Sequence, residues 1–289
     1  MNIKSSYSKN YSNKFSIICA TYKNSFNILS LIKSLKNQQY KNFELVICDQ
    51  NKNNTIKKII YPYKNIIKIH HLKTSIGLSK SRNKGLEKIT GSYVLFLDDD
   101  IIVPRKFFLN LSKIINQQIK KNNTIICFKI LNEIRKTLLK YPKSNYIIKK
   151  ESEIFKYISS VSFVVKYNKF IKFNNNLGLG SKSIFQSGEE TELLINLFKK
   201  KYKIFFDNSL YLIHQTKKRN YNFILYKHFF YGCGWGYLVK KKYNKIIFLI
   251  SQLIKVFINI LYYFFTLNFK NSSKSLMTLL GRIFGYIKA

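Results

Sequence analysis

Apolar positions cluster along the chain in short unbroken runs. Residues 15–21 (FSIICAT), 43–49 (FELVICD), 66–72, 93–97 (YVLFL) and 124–131 each form one. Runs of this length that do not alternate with polar residues predict strands buried on both faces. Between them the apolar spacing becomes helical. Ile28, Leu29, Ile32 and Leu35 recur on one face behind a cap at Asn24 or Ser25, and residues 79–89 and 104–120 follow suit, with Pro104 fitting a first helical turn. Strands alternating with helices predict an α/β chain, a Rossmann-like, mostly parallel sheet flanked by helices. Ligands of such sheets bind beyond the carboxyl ends of the strands. Thr21, Asp49 and the triplet Asp98, Asp99, Asp100 all stand at those ends.

Beyond residue 131 the pattern loosens. Residues 158–165 read as a strand, 174–181 (NNNLGLGS) as a loop, and 204–206 and 210–214 as two short strands. Between them Ser187-Gly188-Glu189-Glu190-Thr191-Glu192 opens a helix carrying Leu193, Leu194, Leu197 and Phe198. Acids in a first turn complement the helix dipole. That accounts for Glu192 but leaves Glu189 and Glu190 in want of a further reason, because acids are so scarce here. Residues 246–267 are almost wholly apolar, broken by Ser251, Gln252, Lys255, Asn259 and Thr266 and flanked by Lys240, Lys241, Lys242, Lys245, Lys270 and Lys274. A lysine at mid-helix costs about 2.5–3.5 kcal/mol to insert in a bilayer. An interfacial helix therefore suits the segment better than a span, with a buried or partner-facing helix pair as the remaining reading; residues 276–287 repeat the pattern. The glycine-dense Gly232-Cys233-Gly234-Trp235-Gly236 fits an acceptor platform, an interface anchor or a plain loop equally well.

Composition narrows the chemistry. The 289 residues carry 51 Lys+Arg against 13 Asp+Glu, a formal charge of +38. The lysines are spread along the chain, so the charge favours anionic headgroups and phosphates without naming a partner. No RRM, KH or OB pattern accompanies it, and an acid triplet at a strand tip repels phosphates unless metal-bound, so nucleic acid is not an expected partner. The four cysteines lack ligand or disulfide spacing and fit a reducing compartment. Residues 1–14 are polar, without an apolar h-region, and read as a mobile tail with no secretory signal, hence a cytoplasmic protein. Neither GxGxxG after the first strand nor GxxxxGK[ST] occurs. Three of the five aspartates sit in one triplet. Adjacent carboxylates near a core want a positive charge opposite, and hard oxygen ligands suit Mg²⁺ or Mn²⁺; a solvated strand end is the alternative.

Several segments together resemble the family 2 glycosyltransferases, inverting nucleotide-sugar enzymes of GT-A fold. Ser16-Ile17-Ile18-Cys19-Ala20-Thr21-Tyr22-Lys23-Asn24 is similar to that family's first strand and turn, and Glu44-Leu45-Val46-Ile47-Cys48-Asp49-Gln50 to its second strand. Gly77-Leu78-Ser79-Lys80-Ser81-Arg82-Asn83-Lys84-Gly85 matches its Gly-Leu-x-x-x-Arg-Asn-x-Gly segment, residues 91–100 its DXD-type strand, and Gly188-Glu189-Glu190-Thr191-Glu192-Leu193 its Gly-Glu-Asp-Thr-Asp-Leu element. The order is right over residues 15–214.

The resemblance implies a nucleotide-diphosphate-sugar donor and a hydroxyl acceptor. Ala20, Thr21 and Tyr22 would line the nucleotide pocket, Asp49 would accept from the base, and Arg82 would contact base or phosphate. Asp98 would face the ribose or the metal, Asp100 would ligate the metal, Asp99 could exchange with either, and His214 would add a metal or phosphate contact. Glu190 would be the catalytic base, with Glu189 as fallback; the family's usual aspartate is here one methylene longer. The implied organisation is a tail (1–14), a catalytic domain (15–215, nucleotide half 15–130 and acceptor half 131–215) and a C-terminal helical membrane-associating extension (216–289). With that extension, the expected setting is the inner face of the cell membrane, peripheral on an anionic surface. The expected acceptor is a cell-surface polysaccharide, lipopolysaccharide or lipid-linked glycan. A non-catalytic sugar-nucleotide-binding or scaffolding relative is the alternative reading, and a nucleic-acid-binding protein the third.

Overall fold

The computed structural model describes residues 13–23, 27–118, 123–159, 161–215 and 220–289. The proposed cap at Asn24 or Ser25 and nearly all of the polar tail lie outside them. Elements follow in the order β1 (Phe15–Thr21), α1 (Ile28–Lys36), β2 (Phe43–Asp49), α2 (Thr55–Ile60), β3 (Lys68–Lys73), α3 (Leu78–Leu86), β4 (Tyr93–Asp98), β5 (Ile101–Ile102), α4 (Phe107–Gln118), β6 (Thr124–Asn132), β7 (Tyr146–Ile147), α5 (Glu151–Tyr157) and β8 (Phe163–Lys166). The chain finishes with α6 (Glu189–Lys199), β9 (Lys203–His214), α7 (Tyr221–Leu238), α8 (Ile246–Phe265) and α9 (Phe269–Lys288).

The described strands form one sheet in the order β3-β2-β1-β4-β8-β6-β9-β5, with β7 paired to β9. Strands β3, β2, β1 and β4 run parallel, and the unbroken apolar runs of β1, β2 and β4 fit burial on both faces. The second half departs from the mostly parallel expectation. β8 lies antiparallel between β4 and β6, and β5 and β7 run antiparallel to β9, so the sheet is mixed. Period-2 alternation sends neighbouring residues of β1, β2 and β4 to opposite faces, so covering both faces makes these three strands apolar almost throughout. Ile17, Cys19, Leu45, Ile47, Leu95 and Leu97 pack with α1, α2 and α4 on one face. Ile18, Val46, Cys48, Val94 and Phe96 pack on the other face with Leu86 of α3 and with α5 and α6.

Three local readings change. Residues 151–157 form α5, and Ile158 is buried against the second face, leaving only Phe163–Lys166 as strand. The two short strands expected at 204–214 are one, β9, interrupted by a bulge. There the Asp207 carboxylate gathers Ser209 N, Ser209 Oγ and Leu210 N. The glycine-dense segment is mid-helix in α7, and Trp235 is a packing residue. Its ring lies 6.1 Å from Phe155 and 6.0 Å from Phe248, with the Arg282 guanidinium 4.1 Å above it.

Candidate active site

Parallel register brings the expected residues to one edge. Ala20 stands beside Cys48 and Asp98, and Thr21 beside Asp49. Helix α3 lies unusually close to this sheet because Gly85 faces it. A Cβ there would sit 2.7 Å from Ile18 Cγ2 and 3.0 Å from Cys48 Sγ. The close approach delivers Arg82 to the strand ends with its side chain fully buried.

Arg82 is the hub of the site. Its Nη1 donates to Glu190 Oε1 at 2.5 Å and to Glu189 Oε1 at 3.4 Å, and its Nη2 to Asp98 Oδ1 at 3.2 Å. The Phe173 and Phe96 rings flank the guanidinium at 5.5 and 6.0 Å. Burial opposes its charge, but Glu190, Asp98 and Glu189 outweigh burial and hold it protonated. The two glutamates reach it from the first turn of α6, which begins at left-handed Gly188 (φ 92°). They differ electrically. Burial and the neighbouring Glu190 carboxylate push Glu189 well above the usual carboxylate range, favouring its protonated form, while Glu190 makes the short ion pair. Glu192, by contrast, pairs with Lys242 at 3.0 Å.

The aspartate triplet divides its work. Asp98 ends β4 and is raised by burial, against the pull of Arg82 and with Glu190 and Asp100 adding to the rise. Asp99 accepts from Thr21 Oγ1 at 2.6 Å. Asp100 lies beside His214, Nε2 to Oδ1 3.5 Å, because β5 pairs with β9 immediately after it. One ligand atom each from Asp98, Asp100 and His214 fall within 4.8 Å of one another. Two carboxylate oxygens and an imidazole nitrogen are a donor set that a divalent cation such as Mn²⁺ or Mg²⁺ fits.

Asp49 belongs to a separate cluster. Its Oδ1 accepts from Asn51 N and Nδ2 at 2.9 and 3.0 Å, and its Oδ2 meets Lys73 Nζ at 2.8 Å and His71 Nε2 at 3.0 Å. Burial works against the ionised form, but the hydrogen bonds from Lys73, Asn51 and His71 prevail and hold the carboxyl below its ordinary range. Sequence reasoning passed over His71 and Lys73. The signal was available in the parallel register of β3, which sets Lys73 opposite Asp49 and His71 opposite Ile47. Beside this cluster a cleft of about 440 Å³ is lined by Tyr22, Gln50, Asn51, Lys52, Asn53, Thr74, Ser75 and Ile76. Tyr22, 39% exposed, forms part of its wall.

Known proteins resemble this chain in sequence and in fold. A 135-residue stretch is 32% identical to the cholesterol galactosyltransferase of Borreliella burgdorferi, covering 45% of this chain and 37% of that one. A 172-residue stretch is 28% identical to an Escherichia coli UDP-Glc:alpha-D-GlcNAc-diphosphoundecaprenol beta-1,3-glucosyltransferase, covering 58% of each. The matches therefore span between about a third and three-fifths of those relatives' lengths. Among solved structures, Staphylococcus aureus TarS 1–349 in complex with UDP-GlcNAc superposes with a TM-score of 0.58 at 16% identity, over 92% of this chain and 90% of that one. At that identity the likeness speaks for the fold, which is GT-A. The sequence profile described as glycosyl transferase family 2 matches residues 16–180, more than half of the sequence, and the chain belongs to that family.

Proposed function

We propose that the protein is an inverting glycosyltransferase that moves a sugar from a nucleotide-diphosphate donor to a hydroxyl of a lipid-linked or surface-glycan acceptor. The observation that carries this reading is the buried Arg82 guanidinium, which holds a helix-borne carboxylate pair on one side and a strand-end aspartate on the other. Glu190 is the base. Arg82 orients its carboxylate through the 2.5 Å contact, and Glu190 takes the acceptor proton as the acceptor oxygen attacks the anomeric carbon. The nucleoside diphosphate leaves from the opposite face, so configuration inverts. Glu189, raised by burial and by Glu190, is biased against adding a second negative charge. The cleft at Tyr22, Gln50 and Asn51 receives the base of the nucleotide, with Ala20 and Thr21 at its strand edge. Asp49 fixes Asn51 and Lys73 beside that cleft. Asp98, Asp100 and His214 would hold the divalent cation, with Thr21 fixing Asp99 beside them; when bound, the cation neutralises charge developing on the departing diphosphate.

The acceptor side of the proposal draws on the relatives, one named for a diphosphoundecaprenol substrate and another for cholesterol, and on the C-terminal helices. Residues 220–289 contain ten Lys+Arg and no acid. Helix α8 is long and apolar enough to cross a membrane by length and composition. Its outward stripe, Ile247, Ile250, Ile254, Ile258, Leu261 and Phe265, is exposed, and Lys255 lies about 100° from the centre of that stripe at 100° per residue. A charge at the margin of the apolar face belongs at headgroup level. The protein is thus read as resting on the inner, anionic face of the cell membrane.

The test is turnover by the full-length chain with UDP-, GDP- and dTDP-sugars, Mn²⁺ or Mg²⁺, and a polyprenyl-diphosphate-linked acceptor. Transfer with inversion from one donor class is expected, and Glu190→Gln should lower kcat about 10²–10⁴-fold while sparing UDP binding. A Glu190→Gln enzyme of full activity would remove the base from this site.

A further inference from the structure

The glycine-dense stretch of α7 faces two ways. On one side Gly232 and Gly236 meet α9 backbone to backbone: a Cβ on Gly232 would lie 2.8 Å from Thr278 O, and one on Gly236 2.6 Å from Tyr286 N. Gly281 and Gly285 of α9 have the reciprocal position, where a Cβ would fall on the carbonyls of Phe229 and Cys233. On the other side Gly234 is pressed against the turn that opens α6. A Cβ there would sit 2.9 Å from the Ser187 carbonyl carbon and closer still to its oxygen. Ser187 Oγ donates to Tyr231 O at 3.1 Å, and Leu238 closes over Gly188. The next two residues are Glu189 and Glu190. A single helix, about 10 Å thick with its side chains, therefore separates the turn bearing the base from α9, which packs in turn on α8, the helix with the exposed apolar stripe. Contacts of backbone on backbone have no side-chain slack to absorb a displacement.

We propose that Gly234 and Leu238 of α7 position the catalytic base, and that they do so from a helix whose opposite face carries the bilayer-docking hairpin α8–α9, so that docking on an anionic lipid surface raises turnover without changing nucleotide affinity. The proposal rests on Glu190 as base and on the lipid surface as the occupant of the hairpin's apolar face. That occupant is argued from the exposed stripe together with the composition of residues 220–289, which carry ten Lys+Arg and no Asp or Glu. Gly234 and Leu238 are positioning residues; they touch the turn, and the turn carries the reacting carboxylate.

The experiment uses the full chain, vesicles of phosphatidylglycerol and phosphatidylcholine, UDP with Mn²⁺ as the binding probe, and hydrolysis of whichever nucleotide sugar the donor screen shows is turned over. Wild type should sediment with the vesicles and its kcat should rise several-fold, with Kd for UDP unchanged. Ile254→Glu and Phe257→Glu, both on the exposed face of α8, should lose sedimentation and the rise while keeping the vesicle-free rate. Gly234→Ala should still sediment and bind UDP, with kcat down more than tenfold and KM for the donor little altered; if it does not fold, the two α8 variants decide the matter. Vesicle-bound wild type with an unchanged kcat overturns the coupling, as does Gly234→Ala with wild-type kcat. Failure of the catalytic reading is separately visible, because it would leave Glu190→Gln active. Absence of sedimentation in wild type would overturn the docking surface and the coupling with it.

Discussion

Replacing Arg82 by methionine isolates the electrostatics of the site at nearly constant shape. The wild-type guanidinium is fully buried and contacts Glu190 at 2.5 Å, Asp98 at 3.2 Å and Glu189 at 3.4 Å. Removing one partner of a buried ion pair costs about 3–5 kcal/mol, because the remaining charge is left uncompensated. The carboxylates have one escape, which is to take up protons, and that makes the cost depend on pH. Burial and Glu190 already bias Glu189 towards its protonated form in the wild type; in Arg82→Met one further carboxyl, Glu190, is expected to take up a proton. Keeping a glutamate protonated costs about 1.4 kcal/mol for each pH unit above its unfolded value near 4.3. The added loss should be about 1.5 kcal/mol at pH 5.5 and about 5 kcal/mol at pH 8. The sign follows from proton counting: the folded variant binds more protons than the unfolded chain, so its stability falls as pH rises through this interval. Urea unfolding followed by Trp235 fluorescence and far-ultraviolet circular dichroism, at pH 5.5, 6.5 and 8 and fixed ionic strength, measures the slope. Adding Glu190→Gln should recover most of the loss at pH 8, since a neutral amide needs no counter-charge. A penalty below about 1 kcal/mol at pH 8, or one that is the same at both ends of the range, would refute the view of Arg82 as the counter-ion of the carboxylate pair.

Other consequences are as concrete. UDP with Mn²⁺ should raise the melting temperature of the wild type, and Asp100→Ala or His214→Ala should abolish the metal-dependent part of that rise, as thermal-shift titrations would show. Glu189→Gln preserves a neutral hydrogen-bonding group and should keep kcat within about tenfold of wild type, far above Glu190→Gln; equal losses would reverse the two assignments. Glu44 is buried, yet hydrogen bonds from Thr90 and Ser16 overcome that burial and bring its pKa from 4.5 to about 2. A depressed carboxyl stabilises the fold above its unfolded pKa and loses that contribution as pH falls through the folded one. Glu44→Gln should therefore cost about 3 kcal/mol at pH 7 and little near pH 2, by denaturant titration at the two pH values.

The strands and their carboxyl-end residues were readable because burial on both faces leaves an unbroken apolar run, and the acids stand out where such runs stop. Ala20, Thr21, Asp49 and Asp98 are neighbours for that reason alone. The partners of Arg82 were not readable in this way. Its contacts to Glu189 and Glu190 span 107 and 108 residues, and no local spacing reports a contact of that range. The resemblance supplied the residues but not their pairing. The antiparallel insertion of β8 escaped for a similar reason, since a four-residue apolar strand fits either direction. In α7 the glycines left acceptor platform, interface anchor and loop equally open, because composition does not report what lies against them; in the fold Gly232, Gly234 and Gly236 each answer a helix or turn packed on that side. The separate roles of Asp99 and Asp100 depend on which neighbour, Thr21 or His214, the fold brings to each.

The wide spacing of the site has a consequence for how the chain is made. Arg82 and Asp98 lie on early elements of the sheet, while Glu189, Glu190 and His214 come on α6 and β9. At a synthesis rate of about 5–20 residues per second, Glu190 follows Arg82 from the ribosome by roughly 5–20 s. During that interval the first strands can pair and α3 can settle on them, with Asp98 the one carboxylate of these Arg82 contacts already made. Phe173, Glu189 and Glu190, which enclose the guanidinium in the finished fold, come later, so the arrival of α6 completes both its burial and its charge balance and brings in the proposed base. Folding of this domain and assembly of its chemistry are completed by the same late segment.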